Sequence, residues 1–137
     1  MALRSAPAAV CPRFHKAVEL VGRRWTGAIL STMLAGATRF TDIVHAVPGL
    51  SDRLLSERLK ELENEGIVVR QVHPDTPVRI EYLLTEKGRA LSCVTEAVSI
   101  WADKWVELES PSDCPACDEH ATTTTTVEGA KLAIANA

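Results

Sequence analysis

Residues 39–84 restrict what this chain can fold into more than any other stretch, because they read in order as helix, tight turn, helix and two short strands. The second of these helices follows Pro48-Gly49 and runs Ser51-Asp52-Arg53-Leu54-Leu55-Ser56-Glu57-Arg58-Leu59-Lys60-Glu61-Leu62. At about 100° per residue, Leu55, Leu59 and Leu62 stack on one side, while Arg53, Glu57, Lys60 and Asn64 turn away from it. A helix packed by one face and offering Arg, Lys and Ser on the other has the form of a major-groove reader. The expectation is therefore double-stranded DNA as partner.

The net charge of −3 over 137 residues looks unsuited to that partner until it is divided along the chain. Residues 1–41 hold six cations against the single acid Glu19, whereas residues 111–137 hold Asp113, Asp118, Glu119 and Glu128 against Lys131. The local field, not the sum, governs phosphate contact. The balance argues against a highly basic, non-specific binder. With 46% apolar and 24% charged residues the composition is globular rather than disordered. No apolar run reaches the roughly 18 residues of a membrane span, and no signal-peptide core follows the start, so a cytoplasmic protein without membrane contact is expected. Four cysteines in that compartment read as thiols, ligands or switches rather than structural disulfides.

Outside the central run, residues 1–10 read as a flexible arm. A first helix opens at Cys11-Pro12, where the missing proline N–H costs nothing, and stops at Gly22. A second covers residues 25–34 and ends at Ala35-Gly36; a third covers residues 40–47 and is closed by Pro48-Gly49. The helix capped by Ser51 stops at Glu65-Gly66. Strands over residues 67–72 and 78–84 are joined through Pro74-Asp75-Thr76-Pro77. A last helix, from Thr85-Glu86-Lys87-Gly88, is predicted to run unbroken to about residue 108. Residues 109–137, acidic and carrying Cys and a run of Thr, read as a disordered tail.

The last helix carries Leu91, Val94, Val98, Trp101, Trp105 and Leu108 at 3-4 spacing. Such a stripe either caps the domain's own core or faces a second subunit, with Phe14, Val18 and Val21 of the first helix completing the interface. A two-fold dimer would set two reading helices about 34–36 Å apart, one turn of DNA, and match a palindromic operator.

The order Cys11-Pro12, Gly22-x-x-Trp25, Arg39-Phe40-Thr41-Asp42-Ile43, Pro48-Gly49-Leu50-Ser51, Leu59-Lys60-Glu61-Leu62, Gly66-Ile67-Val68 and Pro77-Val78-Arg79-Ile80-Glu81-Tyr82-x-Leu84-Thr85-x-x-Gly88 resembles the HxlR-type winged helix-turn-helix regulators. The resemblance covers about residues 11–108. It implies a mainly helical α+β fold, a winged helix-turn-helix with N- and C-terminal dimerisation helices. It also implies a dimeric bacterial transcription regulator, a repressor in the leading reading, whose wing touches the backbone or minor groove. Several members are thiol switches for quinones, aldehydes or oxidants through a cysteine just before the first helix, the position that Cys11 holds here. Gly27-Ala28 departs from the bulkier residues of the pattern, and the segment with Cys114 and Cys117 lies outside it.

Arg53 and Lys60 are the first candidates for base or phosphate contact, since Arg can pair bidentately with guanine at roughly 1–3 kcal/mol of discrimination. Ser51, Asp52 and Ser56 sit near the helix start, where base edges are met. Against this stands a solvated face in which Arg53–Glu57 and Lys60–Asn64 are mere i,i+4 neighbours. Arg79 in the second strand reaches either a phosphate or a cross-strand acid. Arg39 and Thr41 would position the DNA backbone.

Cys11, at a helix start beside Arg13 and Lys16, should be a reactive thiolate, or else is an ordinary N-terminal residue. Cys93 reads as a buried, inert packing residue. Cys114-x-x-Cys117 admits an accessory redox pair, a zinc site with His120 that lacks a fourth ligand, or no role at all. His15, His45 and His73 are scattered, and neither metal nor cofactor is expected. No Gly-rich phosphate loop, HExxH or GxSxG occurs, so an enzyme is not expected. The alternatives to a thiol-controlled regulator are a regulator answering a small ligand without a thiol switch, and a winged-helix protein-interaction module.

Overall fold

The computed structural model describes residues 9–109. Eight elements follow one another: α1 (Pro12–Val21), α2 (Thr26–Leu34), α3 (Phe40–Ala46), α4 (Asp52–Asn64), β1 (Val68–His73), β2 (Arg79–Leu84), α5 (Glu86–Arg89) and α6 (Ser92–Trp105). The chain divides into two units, Met1–Ser99 and Ile100–Ala137, with the boundary inside α6.

Local chemistry explains most of the boundaries. Pro12 opens α1. Ser51 caps α4 by accepting the Leu54 N–H at 3.2 Å, which satisfies one of the free amides of the first turn. The α3–α4 turn needs a left-handed residue and has Gly49 at φ 84°, and α4 ends into Gly66 at φ 73°. β1 and β2 form an antiparallel hairpin in the register Val68↔Leu84 to His73↔Arg79. The far edge of β2 is tied to the α2–α3 loop, since Tyr82 N–H donates to the Thr38 carbonyl at 2.7 Å.

The core lies where α2, α3, α4 and the foot of the hairpin meet. Ile29, Leu30, Ile43, Leu55, Leu59, Leu62, Ile67 and Val68 are essentially inaccessible to water. The Leu seam of α4 is thus the inner face, as its spacing predicts. Only Val68 of the hairpin strands is buried, so the rest of the wing stands clear of the core.

The final helix departs from the expectation of one unbroken rod. α5 ends at Arg89, and Leu91 N–H bonds to Gly88 O, three residues back, before α6 begins. The cause is tertiary: the short first segment is fastened to the start of the wing. Thr85 donates its hydroxyl to Gly66 O at 2.6 Å, Lys87 Nζ donates to Glu65 O at 2.6 Å, and Gly88 packs so tightly on Ile67 that a Cβ there would collide with its carbonyl oxygen. The 3-4 stripe begins at Leu91, beyond the end of α5, so its spacing does not register the break.

Of that stripe, Leu91 packs half-buried against the domain's own core, whereas Val94 and Val98 are exposed. Among the described residues no side chain of α1 or α6 is buried. Phe14 is 64% exposed and Val98 59%. In the second unit, Trp101 and Trp105 are exposed as well.

Candidate nucleic-acid interface and thiol site

The face of α4 opposite its Leu seam is open to solvent. Ser51, Asp52, Arg53, Ser56 and Lys60 are all exposed, and the Arg53 side chain is 89% accessible. Arg53 Nε donates to Glu57 Oε1 at 3.3 Å, a long, exposed i,i+4 contact worth tenths of a kcal/mol and easily traded for a phosphate or base. Lys60 makes no ion pair among the described residues, although Asn64 lies one turn on.

The Arg39–Thr41 pair and Arg79, predicted separately, come together. Arg39 and Thr41, at the start of α3, and Arg79, at the start of β2, line one cleft of about 460 Å³ with the hairpin loop. Arg79 is held by Asp75, Nη2 to Oδ2 at 3.5 Å, so its acid is a loop neighbour and not a cross-strand partner. The wing is braced further by His73 Nε2 and Glu81 Oε2 at 2.7 Å. Spacing alone could not reveal this cleft, since its walls lie some 40 residues apart in the chain.

One cation on α4 escaped sequence reasoning. Arg58 is buried, 8% exposed, and belongs to the inner face with Leu55, Leu59 and Leu62. Its Nε donates to Arg24 O at 3.1 Å and its Nη1 to both oxygens of Glu61 at 3.2 and 3.3 Å. The i+3 spacing from Leu55 was the available signal, because it sets residue 58 on the seam.

Cys11 occupies the N-cap of α1 and is exposed. No hydrogen bond of full geometry closes the cap through its side chain. The free first-turn amides nonetheless pull its thiol below the ordinary cysteine range, Phe14 N–H first and Arg13 N–H second, against a small opposing effect of desolvation. Phe14 also lines an almost wholly apolar groove of about 370 Å³ between α1 and the first half of α6, with Val18, Val21, Leu91, Val94 and Val98. Cys11 therefore lies three residues before a side chain that lines that groove. Cys93 is not buried as expected; it is exposed and donates to Ala90 O at 3.2 Å. Cys114 and Cys117 lie outside the described residues. Among the described residues no three His, Cys, Asp or Glu side chains converge as a metal site, and no helix is long and apolar enough to cross a membrane.

Comparison with known proteins agrees with this architecture. The HxlR-like helix-turn-helix family matches residues 20–110. The chain is 53% identical over 98 residues to the HTH-type transcriptional regulator YvaP of Bacillus subtilis, covering 72% of this chain and 91% of that one. It is 44% identical over 110 residues to the HTH-type transcriptional regulator YodB of the same organism, covering 80% and 95%. The reduced form of YodB superposes with a TM-score of 0.64 at 45% identity, over 72% of this chain and 97% of that structure. YodB is also known in diamide-treated and quinone-bound forms, with TM-scores of 0.61 and 0.60. The redox regulator HypR, in its oxidised form, gives 0.66 at 32% identity over 72% and 100%.

Proposed function

The chain belongs to the HxlR-like helix-turn-helix family, and from that premise we propose that it is a homodimeric repressor whose hold on a palindromic operator is released when Cys11 is modified. It is a winged helix-turn-helix transcriptional regulator, as its relatives are. The single observation that carries the control reading is the exposed Cys11, acidified by the free amides of α1 and three residues before a side chain that lines the apolar groove.

In this reading α4 enters the major groove with Arg53, Ser56 and Lys60 toward base edges, and Ser51 and Asp52 at its leading end. Arg39, Thr41 and Arg79 hold phosphates, which fixes register without reading sequence. The exposed apolar faces of α1 and α6 meet those of a second chain, through Phe14, Val18, Val21, Leu91, Val94, Val98, Trp101 and Trp105. Surface this apolar is rarely left uncovered on a monomer. The thiolate of Cys11 adds to a ring carbon of a quinone. A C–S bond forms, the displaced electron pair moves to a quinone oxygen that takes up a proton, and the ring carbon bearing sulfur then loses its proton while the second oxygen gains one, which leaves a hydroquinone thioether. The bulky adduct, next to Phe14, favours a dimer geometry in which the two α4 helices no longer match the operator. The shift is as large as the adduct's preference for that geometry. Cys114 and Cys117 would serve as accessory thiols. A cytoplasmic location fits this role.

The test uses a duplex selected by the protein itself from a random-sequence pool. Benzoquinone should weaken binding of the parent and leave Cys11→Ser unaffected. A Cys11→Ser variant that responds as the parent does would remove Cys11 as the sensor and favour a non-covalent inducer.

A further inference from the structure

Arg58 is the one charged side chain buried among the described residues, and such a group is retained at a cost unless every donor is used. Here one partner, Arg24 O, lies on the corner that joins α1 to α2, and the other, Glu61, lies on α4 and is itself paired to that corner. Arg24 O takes Nε at 3.1 Å, and Glu61, which takes Nη1, also receives Arg23 Nη1 at 2.9 Å. Arg23 and Arg24 directly follow α1. The Arg24 guanidinium lies 5.0 Å above the ring of Trp25. Trp25 itself sits at φ 74°, a left-handed conformation that a bulky residue adopts only when its surroundings enforce it. Its ring reaches the α3–α4 turn, where a Cβ on Gly49 would come within 3.3 Å of Cη2. The α1–α2 corner thus grips α4 along its shaft, through Arg58 and Glu61, and at the turn just before it, through Trp25.

We infer that Arg58 is a positioning residue for DNA reading, the link through which the attitude of α1 sets the attitude of α4. A guanidinium is suited to this because its planar fork donates in two fixed directions at once, to a carbonyl of the corner and to a carboxylate of its own helix. Lysine preserves the charge but not the fork. The second half of the inference, that modification of Cys11 travels along this path, rests on the thiol reading above.

The experiment compares the parent with Arg58→Lys and with Glu61→Gln, the latter guarding against a lysine variant that fails to fold. Each is titrated with the duplex selected by the parent and with a scrambled duplex of equal length and composition, and far-UV circular dichroism checks the fold. A loosened α4 loses sequence reading while keeping phosphate contact. The ratio of specific to non-specific affinity should therefore fall roughly tenfold with non-specific affinity held within about twofold. A role in stability alone would leave that ratio unmoved in both folded variants, and this result overturns the inference. The same titrations are repeated after N-ethylmaleimide treatment in a background where Cys11 is the sole cysteine. The parent should lose operator affinity and the variants should lose less than half as much on a logarithmic scale. Equal losses would overturn the transmission path. A parent that does not respond to the reagent refutes the Cys11 reading, while the affinity ratio still decides the role of Arg58.

Discussion

The junction between the wing and the final helices depends on a missing methyl group, and Gly88→Ala measures how rigid that junction is. Two effects oppose. Alanine gains at most about 1 kcal/mol from helix propensity and from a less flexible unfolded chain. Against it stands overlap with Ile67 O, Ile67 Cγ2 at 3.2 Å and Leu84 Cδ2 at 3.0 Å. The side chains can yield, but the carbonyl accepts from Thr85 N at 3.0 Å and takes the longer arm, 3.1 Å, of a hydroxyl given chiefly to Gly66 O, so moving it strains a backbone hydrogen bond and that shared arm. Overpacking costs about 1–3 kcal/mol and each weakened bond up to about 1 kcal/mol, which leaves a net loss of about 2 kcal/mol. Urea unfolding at fixed protein concentration reads this as a midpoint lowered by about 1 M, for a slope near 1.5–2 kcal/mol/M. Gly27→Ala is the internal control, because the only atom near its added methyl is Val21 O at 3.8 Å. It should raise the midpoint slightly, by about 0.5 kcal/mol of stability. Gly88→Ala as stable as the parent, or Gly27→Ala equally damaging, would refute the close-approach account.

Arg53→Ala should change stability by less than about 0.5 kcal/mol, since its ion pair is exposed, yet weaken specific binding by about 1–3 kcal/mol in an equilibrium titration. The alkylation rate of Cys11, followed by peptide mapping, should reach its plateau at lower pH than that of a cysteine in an unfolded peptide. The thiolate is favoured in the folded state, so the midpoint lies below the ordinary thiol value. Arg13→Pro deletes one of the two responsible amides and should move that midpoint upward, and Arg13→Ala, which keeps the amide, should move it less. Val98→Glu, in the groove, should shift sedimentation toward the monomer with little change in the fold of each chain, because Val98 is exposed before any partner arrives.

What could be read from the sequence followed a physical rule tied to local spacing. The Leu seam of α4, the Ser51 cap, the glycine turn before it and the hairpin after it are each specified within a few residues, and each lies where spacing puts it. The details missed depend on contacts made across the chain. Tight packing of Gly88 on Ile67 breaks the last helix, a feature invisible to periodicity. Burial of Arg58 depends on a carbonyl 34 residues earlier. The exposure of Cys93 follows from α6 standing off the core, which its apolar content conceals. The shared cleft of Arg39, Thr41 and Arg79 appears only once the hairpin loop folds beside α3.

The core is assembled from α2, α3, α4 and the foot of the wing, and takes no fully buried residue from α1 or α6. Substitutions at the exposed positions of those two helices therefore cost the fold of the single chain little. The exposed positions of α1 and α6 are thereby free to vary while the buried core that holds α4 in place stays intact.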